Sequence, residues 1–258
     1  MTDYPTPNID HDLSGQVALV TGATSGLGRR FAHVLSAAGA AVAICGRRED
    51  RLAEVKAEIE AAGGTAHAVR CDMTDADDIV AAVASAEEAL GTVTILVNNA
   101  GIPDAQRAHK MDVALIDRVI DTNLRGPFIA ACEVARRLMA AEKPGRIVNI
   151  ASVAAYHYAG NGAALYSITK SAIARMTEAL AVEWSRNHIN VNGIAPGAFH
   201  SEMMDGMVAR MGDMAPHFPR KRIADPPQLD STLLFLCSPA SEVVTGTVIK
   251  ADDGQGPR

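Results

Sequence analysis

The sequence predicts an α/β fold: a single doubly wound parallel sheet with helices on both faces. Three observations carry this. Short apolar runs alternate with long runs of helical periodicity, the order a parallel sheet covered on both faces requires. The length of 258 residues, 48% of them apolar, is enough for one large core. A glycine-rich turn joins the first apolar run to the first helical one.

Gln16 to Val20 reads as the first strand, followed by Thr21-Gly22-Ala23-Thr24-Ser25-Gly26-Leu27-Gly28 and a helix to about Ala38. Gly22, Gly26 and Gly28 stand where a tight turn, a close backbone approach and helix-to-strand packing each exclude a side chain. The following helix N-terminus offers free N–H groups and a positive dipole end, suited to a pyrophosphate. The spacing is not Gly-x-Gly-x-x-Gly, so an ordinary strand-to-helix turn is the plain alternative.

Ala41 to Cys45 is the second strand, and Gly46-Arg47-Arg48 follows it. A dinucleotide fold that uses NAD places a carboxylate near here, on the ribose 2′-OH. Arg47 and Arg48 would instead bind a 2′-phosphate, which favours NADP over NAD. Alternatively they are solvated, with Glu49 and Asp50 favouring the next helix N-terminus. That helix, Arg51 to Ala62, carries Leu52, Val55 and Ile59 on one face and ends at Gly63-Gly64.

The third strand, Ala66 to Arg70, runs into Cys71-Asp72-Met73. Asp72 could cap a helix, although Thr74 and Asp75 serve that purpose more directly. Val93 to Val97 is the fourth strand and opens into Asn98-Asn99-Ala100-Gly101, small enough for backbone to approach a ligand. The loop beyond, with Arg107, His109 and Lys110, should border a substrate entrance. Asp112 to about Ala141 is a long helical stretch, expected to break near Gly126-Pro127, with a helix-unfavourable Asn123 just before.

Arg146 to Ile150 is the fifth strand, ending at Ala151-Ser152, where a serine at a strand's carboxyl end faces a ligand. A helix from about Ala163 to Arg186 contains Tyr166 and Lys170, four apart and so on one face. An ammonium close to a phenol favours phenolate. At ~4 Å and an effective dielectric of ~20 the effect is about 4 kcal/mol, or roughly three pK units at most. Such a tyrosine could work as acid or base near neutrality. Alone, the pair could equally be a helix with a snorkelling lysine.

Ile189 to Ile194 is the sixth strand, with Pro196-Gly197 after it. Methionines at 203, 204, 207, 211 and 214 then follow at helical spacing. They form either a soft apolar surface for an irregular ligand or a stripe packed in the core. His200 and Phe218 could line the site; no ligand cluster accompanies His200, which argues against a metal. Pro226 to Leu236 is a further helix and Thr247 to Lys250 the last strand.

Taken in order, the Gly-rich turn, Asn98-Asn99-Ala100-Gly101, Ser152 and Tyr166-Ser167-Ile168-Thr169-Lys170 resemble the short-chain dehydrogenase/reductase family, over about Leu13 to Gly254. The resemblance implies a Rossmann fold spanning 13–258 after a tail at 1–12, with a substrate lid at about 198–224. It implies carbonyl/alcohol interconversion by hydride transfer with NADP, or NAD as the alternative. Ser152, Tyr166, Lys170 and Asn123 are the catalytic residues it implies, Asn123 kinking its helix and holding a water that links Lys170 to solvent. It assigns Asp72 and Met73 to the adenine and Thr24, Ser25, Leu27, Asn99, Ala100 and Gly101 to the cofactor's phosphates and ribose. Pro196, Gly197, Phe199 and Ser201 fall at the nicotinamide, Ser201 replacing the usual threonine.

It also implies that the two long helices pack against a second subunit in a homotetramer or homodimer, although Ile173, Met176, Leu180 and Trp184 suit core packing equally. The chain departs from the family pattern twice. One extra residue lies between Ser152 and Tyr166, within Tyr156 to Asn161, and the tail Asp252-Asp253-Gly254-Gln255-Gly256 replaces Asp-Gly-Gly. The second departure is expected to affect a subunit edge more than the chemistry.

Composition narrows the rest. A net charge of −6 without a basic run argues against nucleic acid, and no apolar run reaches the ~18 residues of a membrane span. Met1 to His11 has no signal-peptide layout, and the four cysteines are scattered, so a cytoplasmic protein is expected. An apolar or bulky carbonyl substrate is the expectation. A 3-oxoacyl-carrier-protein reductase, a dinucleotide-binding sensor without turnover and a purely structural module are the alternatives; the net negative charge lends no support to an acidic carrier.

Overall fold

The computed structural model describes residues 11–257 apart from 159 and 161. Most of the tail expected at 1–12 therefore lies outside the described residues, as does part of the expected insertion at Tyr156 to Asn161.

Seven parallel strands form one sheet in the order β3-β2-β1-β4-β5-β6-β7. They are β1 (Val17–Thr21), β2 (Ala41–Gly46), β3 (Ala66–Arg70), β4 (Ile95–Asn98), β5 (Gly145–Ile150), β6 (Ile189–Pro196) and β7 (Val248–Ala251). Helices α1 (Gly26–Ala37), α2 (Glu49–Ala61), α3 (Ala76–Leu90), α4 (Val113–Ile120), α5 (Gly126–Ala140), α6 (Ala164–Trp184), α7 (Glu202–Met211) and α8 (Asp230–Cys237) connect them. Strand order reverses between β1 and β4, the switch point at which open α/β sheets bind ligands beyond their carboxyl ends. The doubly wound expectation holds.

Strand periodicity builds two cores. Leu19 points into one face of the sheet, and Ala18 and Val20 into the other. The first core receives α3, α5 and α6; the second receives α1, α2 and α8. Ile173, Met176, Leu180 and Trp184 all lie in the first core, so that stripe on α6 faces inward.

The expected break at Gly126-Pro127 does not occur. Helix continues from α4 through a π-helical turn, Asp121–Arg125, into α5. Pro127 has no N–H to return to the preceding turn, and the widened turn before it absorbs that loss. Gly126 serves packing instead: a Cβ there would stand 2.3 Å from the Met73 carbonyl oxygen. Asp75 caps α3 by accepting from the Asp77 and Asp78 N–H groups, which leaves Asp72 to the cleft.

Candidate active site

A cleft of about 720 Å³ opens at the carboxyl ends of the strands. Every cofactor and catalytic residue expected from the sequence lines it, except Gly28 and Asn123, which support it from behind.

The floor is the turn after β1 packed on the segment after β4. Gly22 has φ +66°, a conformation that favours glycine, and a Cβ would come within 2.8 Å of Ala100 Cα. At Gly28 a Cβ would stand 2.3 Å from Gly22 O and 2.4 Å from Asn99 Nδ2. Asn99 holds this contact by donating from Nδ2 to Thr21 O and Gly22 O, at 3.0 and 3.2 Å. Neighbouring Asn98 does structural work, donating across the sheet to Asn149 Oδ1 at 2.9 Å. Ser25, the α1 N-cap, makes no side-chain cap bond, and Gly26 and Leu27, which begin α1, line the cleft. This helix start, with arginines beside it, fits the phosphates of a dinucleotide.

Arg47 and Arg48 follow β2 at one end of the cleft. Arg48 Nη2 donates to Thr24 Oγ1 at 2.7 Å and to Ser25 Oγ at 3.0 Å. Asp72 accepts at Oδ1 from the Thr74 N–H and hydroxyl. Burial pushes its carboxyl up, but the two Thr74 bonds and the nearby Arg47 and Arg70 outweigh this and hold it below the usual range. Met73 is buried beside it.

Ser152 ends β5, and Tyr166 and Lys170 occupy the first two turns of α6. The Tyr166 ring and Ser152 line the same cleft, Ser152 near enough to favour the ionised phenol, and Ser152 Oγ accepts from the Ala154 N–H at 3.1 Å. Lys170 Nζ donates to Ile150 O at 2.7 Å and stands 5.6 Å from the centroid of the Tyr166 ring. The expected depression of the phenol pKa is absent. Burial raises it, nearby Ser152 only partly offsets this, and the Asp104 charge adds to the rise. The same burial pulls Lys170 down to about 8. The reason is geometric: the ammonium is committed to a carbonyl and sits over the ring, while both groups are desolvated.

Asn123 lies in the π turn. Its Oδ1 accepts from Ile102 N at 2.8 Å and its Nδ2 donates to Ile102 O at 2.9 Å. Asn123 Oδ1 and Lys170 Nζ converge over Gly101, each 3.5 Å from where a Cβ would be.

Ser201 caps α7, accepting from the Met204 N–H at 3.2 Å. Helix α7 buries none of its residues. Met203, Met204, Met207 and Met214 face the cleft with Phe218, whereas Met211 is exposed. The core alternative for the methionine stripe is thereby excluded. His200 points away, exposed, 4.0 Å from Asp225, and does not line the cleft. Arg107, His109 and Lys110 do not reach the cleft either. No group of three His, Cys, Asp or Glu suited to a metal occurs among the described residues.

Three residues escaped the sequence reading. Asp104, 3% exposed, accepts from the Leu165 and Tyr166 N–H groups at 2.9 and 3.1 Å, capping α6 where Ala163 cannot. Gln255 Oε1 accepts from Ala198 N at 2.8 Å and lies against Gly197, so the unusual tail touches the cleft as well as any edge. Glu202 at the start of α7 reaches Arg48. All three act across long sequence separations, where spacing carries no signal.

Comparison with known proteins agrees with this geometry. The family model for short chain dehydrogenases matches residues 16–211. The chain belongs to the short-chain dehydrogenase family. It is 36% identical over 245 residues to a gluconate 5-dehydrogenase of Gluconobacter oxydans, covering 94% of this chain and 95% of that one. It is 36% identical over 242 residues to a cis-4-hydroxycyclohexanecarboxylate dehydrogenase of Sinomonas cyclohexanicum, covering 93% and 96%. A crystal structure of a gluconate 5-dehydrogenase candidate from Beutenbergia cavernae, with NADP at low occupancy, superposes with a TM-score of 0.88 at 33% identity, covering 95% and 98%. The short-chain dehydrogenase described here is thus an oxidoreductase with a dinucleotide cleft. No helix among its described residues is long and apolar enough to cross a membrane.

Proposed function

We propose that this short-chain dehydrogenase interconverts an apolar or bulky ketone and its secondary alcohol, with NADP rather than NAD. The observation that carries this reading is that Ser152, Tyr166 and Lys170 line one cleft with a wall of methionine, Tyr166 half-buried there. NADP, when bound, supplies or accepts the hydride. Ser152 holds the substrate oxygen, and Tyr166 exchanges a proton with it. Lys170 holds the cofactor's nicotinamide ribose, and its convergence with Asn123 over Gly101 supports a water relay to solvent. A phenol held above its ordinary pKa carries its proton at neutral pH, as the acid in ketone reduction must.

Arg47 and Arg48 support NADP. The substrate wall supports an apolar ligand: Met204, Met207, Met214 and Phe218 offer no charge for the carboxylate of a sugar acid such as gluconate, and Arg47, Arg48 and Glu202 belong to the cofactor end. The described lining thus resembles what an alicyclic substrate needs more than what a polyol needs.

The segment 198–224, with α7 at its centre, is read as the lid. Exposed Phe128 on α5, with Ile168 and Val182 on α6, supports a homodimer or homotetramer through these helices. Four free cysteines support a reducing compartment such as the cytoplasm.

The test is a panel of cyclic and branched ketones, with gluconate and its keto acid, run with NADPH/NADP and NADH/NAD in parallel. NADPH-dependent reduction of apolar ketones, with kcat/KM at least about tenfold above the sugar acids, is expected. Absence of any turnover with NADPH binding intact would instead favour a sensor.

A further inference from the structure

The chain places a carboxylate where the proposed cofactor needs positive charge. Glu202 is the first residue of α7. Its Oε2 lies 3.1 Å from Arg48 Nη1, and its Oε1 contacts Arg51 Nη1. Ser25 lies near enough to the same carboxylate to favour its charged form. Arg48 in turn donates to Thr24 and Ser25. The Arg48–Glu202 pair thus ties together three segments: the turn after β1, the start of α2 and the start of α7. Burial pushes the Glu202 carboxyl up, but Arg48 and Arg51 outweigh it and hold it below the usual range, so it is anionic at neutral pH.

A 2′-phosphate recognised by Arg48 brings nearly two negative charges to the same guanidinium. It and the Glu202 carboxylate repel one another there, and one must yield. A ribose 2′-hydroxyl makes no such demand. We propose that Glu202 is a specificity-determining residue that competes with the 2′-phosphate of NADP for Arg48, so that NADP but not NAD releases α7 from the cofactor entrance.

This deepens the NADP reading and rests on it. The two ion pairs are about half exposed, each is therefore weak, and the expected effect is several-fold rather than orders of magnitude. Its direction is distinctive: removing a carboxylate strengthens cofactor binding.

Calorimetric dissociation constants for NADPH and NADH, on wild type and Glu202→Gln, make the first arm. The variant should bind NADPH about three- to tenfold more tightly, with NADH changed by less than about twofold. Hydrogen exchange of α7 amides makes the second arm, with 2′,5′-ADP and ADP as probes that carry no nicotinamide. In wild type, 2′,5′-ADP should speed exchange in α7 and ADP should not; in Glu202→Gln exchange should be fast already and indifferent to both. An unchanged NADPH-to-NADH ratio in the variant, or equal exchange with both probes in wild type, overturns the proposal. Wild-type protein that binds NADH alone removes the NADP reading separately. In that case, NADPH binding gained by Glu202→Gln still upholds the role of Glu202, and its absence overturns it.

Discussion

At Gly28, on the floor of the cleft, a Cβ would stand 2.3 Å from a carbonyl oxygen, whereas α7, on the facing wall, buries none of its residues. The floor is backbone against backbone, held by Asn99 and by glycines that leave no room for a methyl. The wall is flexible thioether side chains on a helix held at its start by the Ser201 cap and by half-exposed ion pairs. The difference separates two tasks. A dinucleotide is the same molecule every time, so its site can be rigid. A substrate wall of methionine can re-pack, so relatives sharing the floor can differ in what they oxidise.

The largest expected effect breaks the chemistry and leaves both sides standing. Tyr166→Phe should lower turnover by about 10² to 10⁴, with the NADPH dissociation constant within about twofold of wild type by calorimetry. Normal activity in this variant would remove the proposed mechanism. Next, Gly28→Ala attacks the floor: Gly22 and Asn99 must move, and NADPH binding should weaken by about a hundredfold or the protein fail to fold, as titration and thermal melts will report.

Lys170 sits between the two sides. Its pKa is about 8 in the fold against an ordinary 10.5, so the native state binds fewer protons than the unfolded state between those values. Burying the charge therefore costs stability below pH 8, and the cost is relieved as pH rises toward 10.5. Lys170→Met should be inactive yet more stable than wild type at pH 7, by about 1 to 3 kcal/mol, with the gap closing near pH 10 in denaturant titrations. A gap that widens with pH would contradict the burial argument.

Smaller effects probe the wall. Met204→Ala with Met207→Ala should cut kcat/KM for an apolar ketone by about three- to tenfold while NADPH affinity holds. Gly206→Ala on α7, where a Cβ would meet nothing within 4 Å, should leave activity intact and stabilise by at most about 1 kcal/mol. Should Gly206→Ala prove as damaging as Gly28→Ala, the contrast between floor and wall fails.

Much of the fold was legible. All seven strands were placed to within a few residues, because an all-parallel sheet buries both faces and its strands read as continuous apolar runs. The grouping of Ser152, Tyr166 and Lys170 in one cleft was legible because Tyr166 and Lys170 are one helical turn apart and Ser152 ends a strand. The long helix misled because Gly126-Pro127 is ordinarily a break, and only the π turn at Asn123 shows how it is bridged. The phenol pKa misled because a spacing of four puts two side chains on one face without saying which atoms meet.

Local order in the chain was sufficient for the sheet, the glycine-rich turn and the grouping of Ser152, Tyr166 and Lys170, since each depends on neighbours a turn or a strand apart. The third dimension alone decided that Asp104 caps the tyrosine's helix, that Gln255 reaches back to Ala198, that the methionines face outward into the cleft and that Glu202 meets Arg48. The hydrogen-bonded contacts among these join residues between 57 and 154 positions apart, and no periodicity links such positions until the sheet has brought them to one edge.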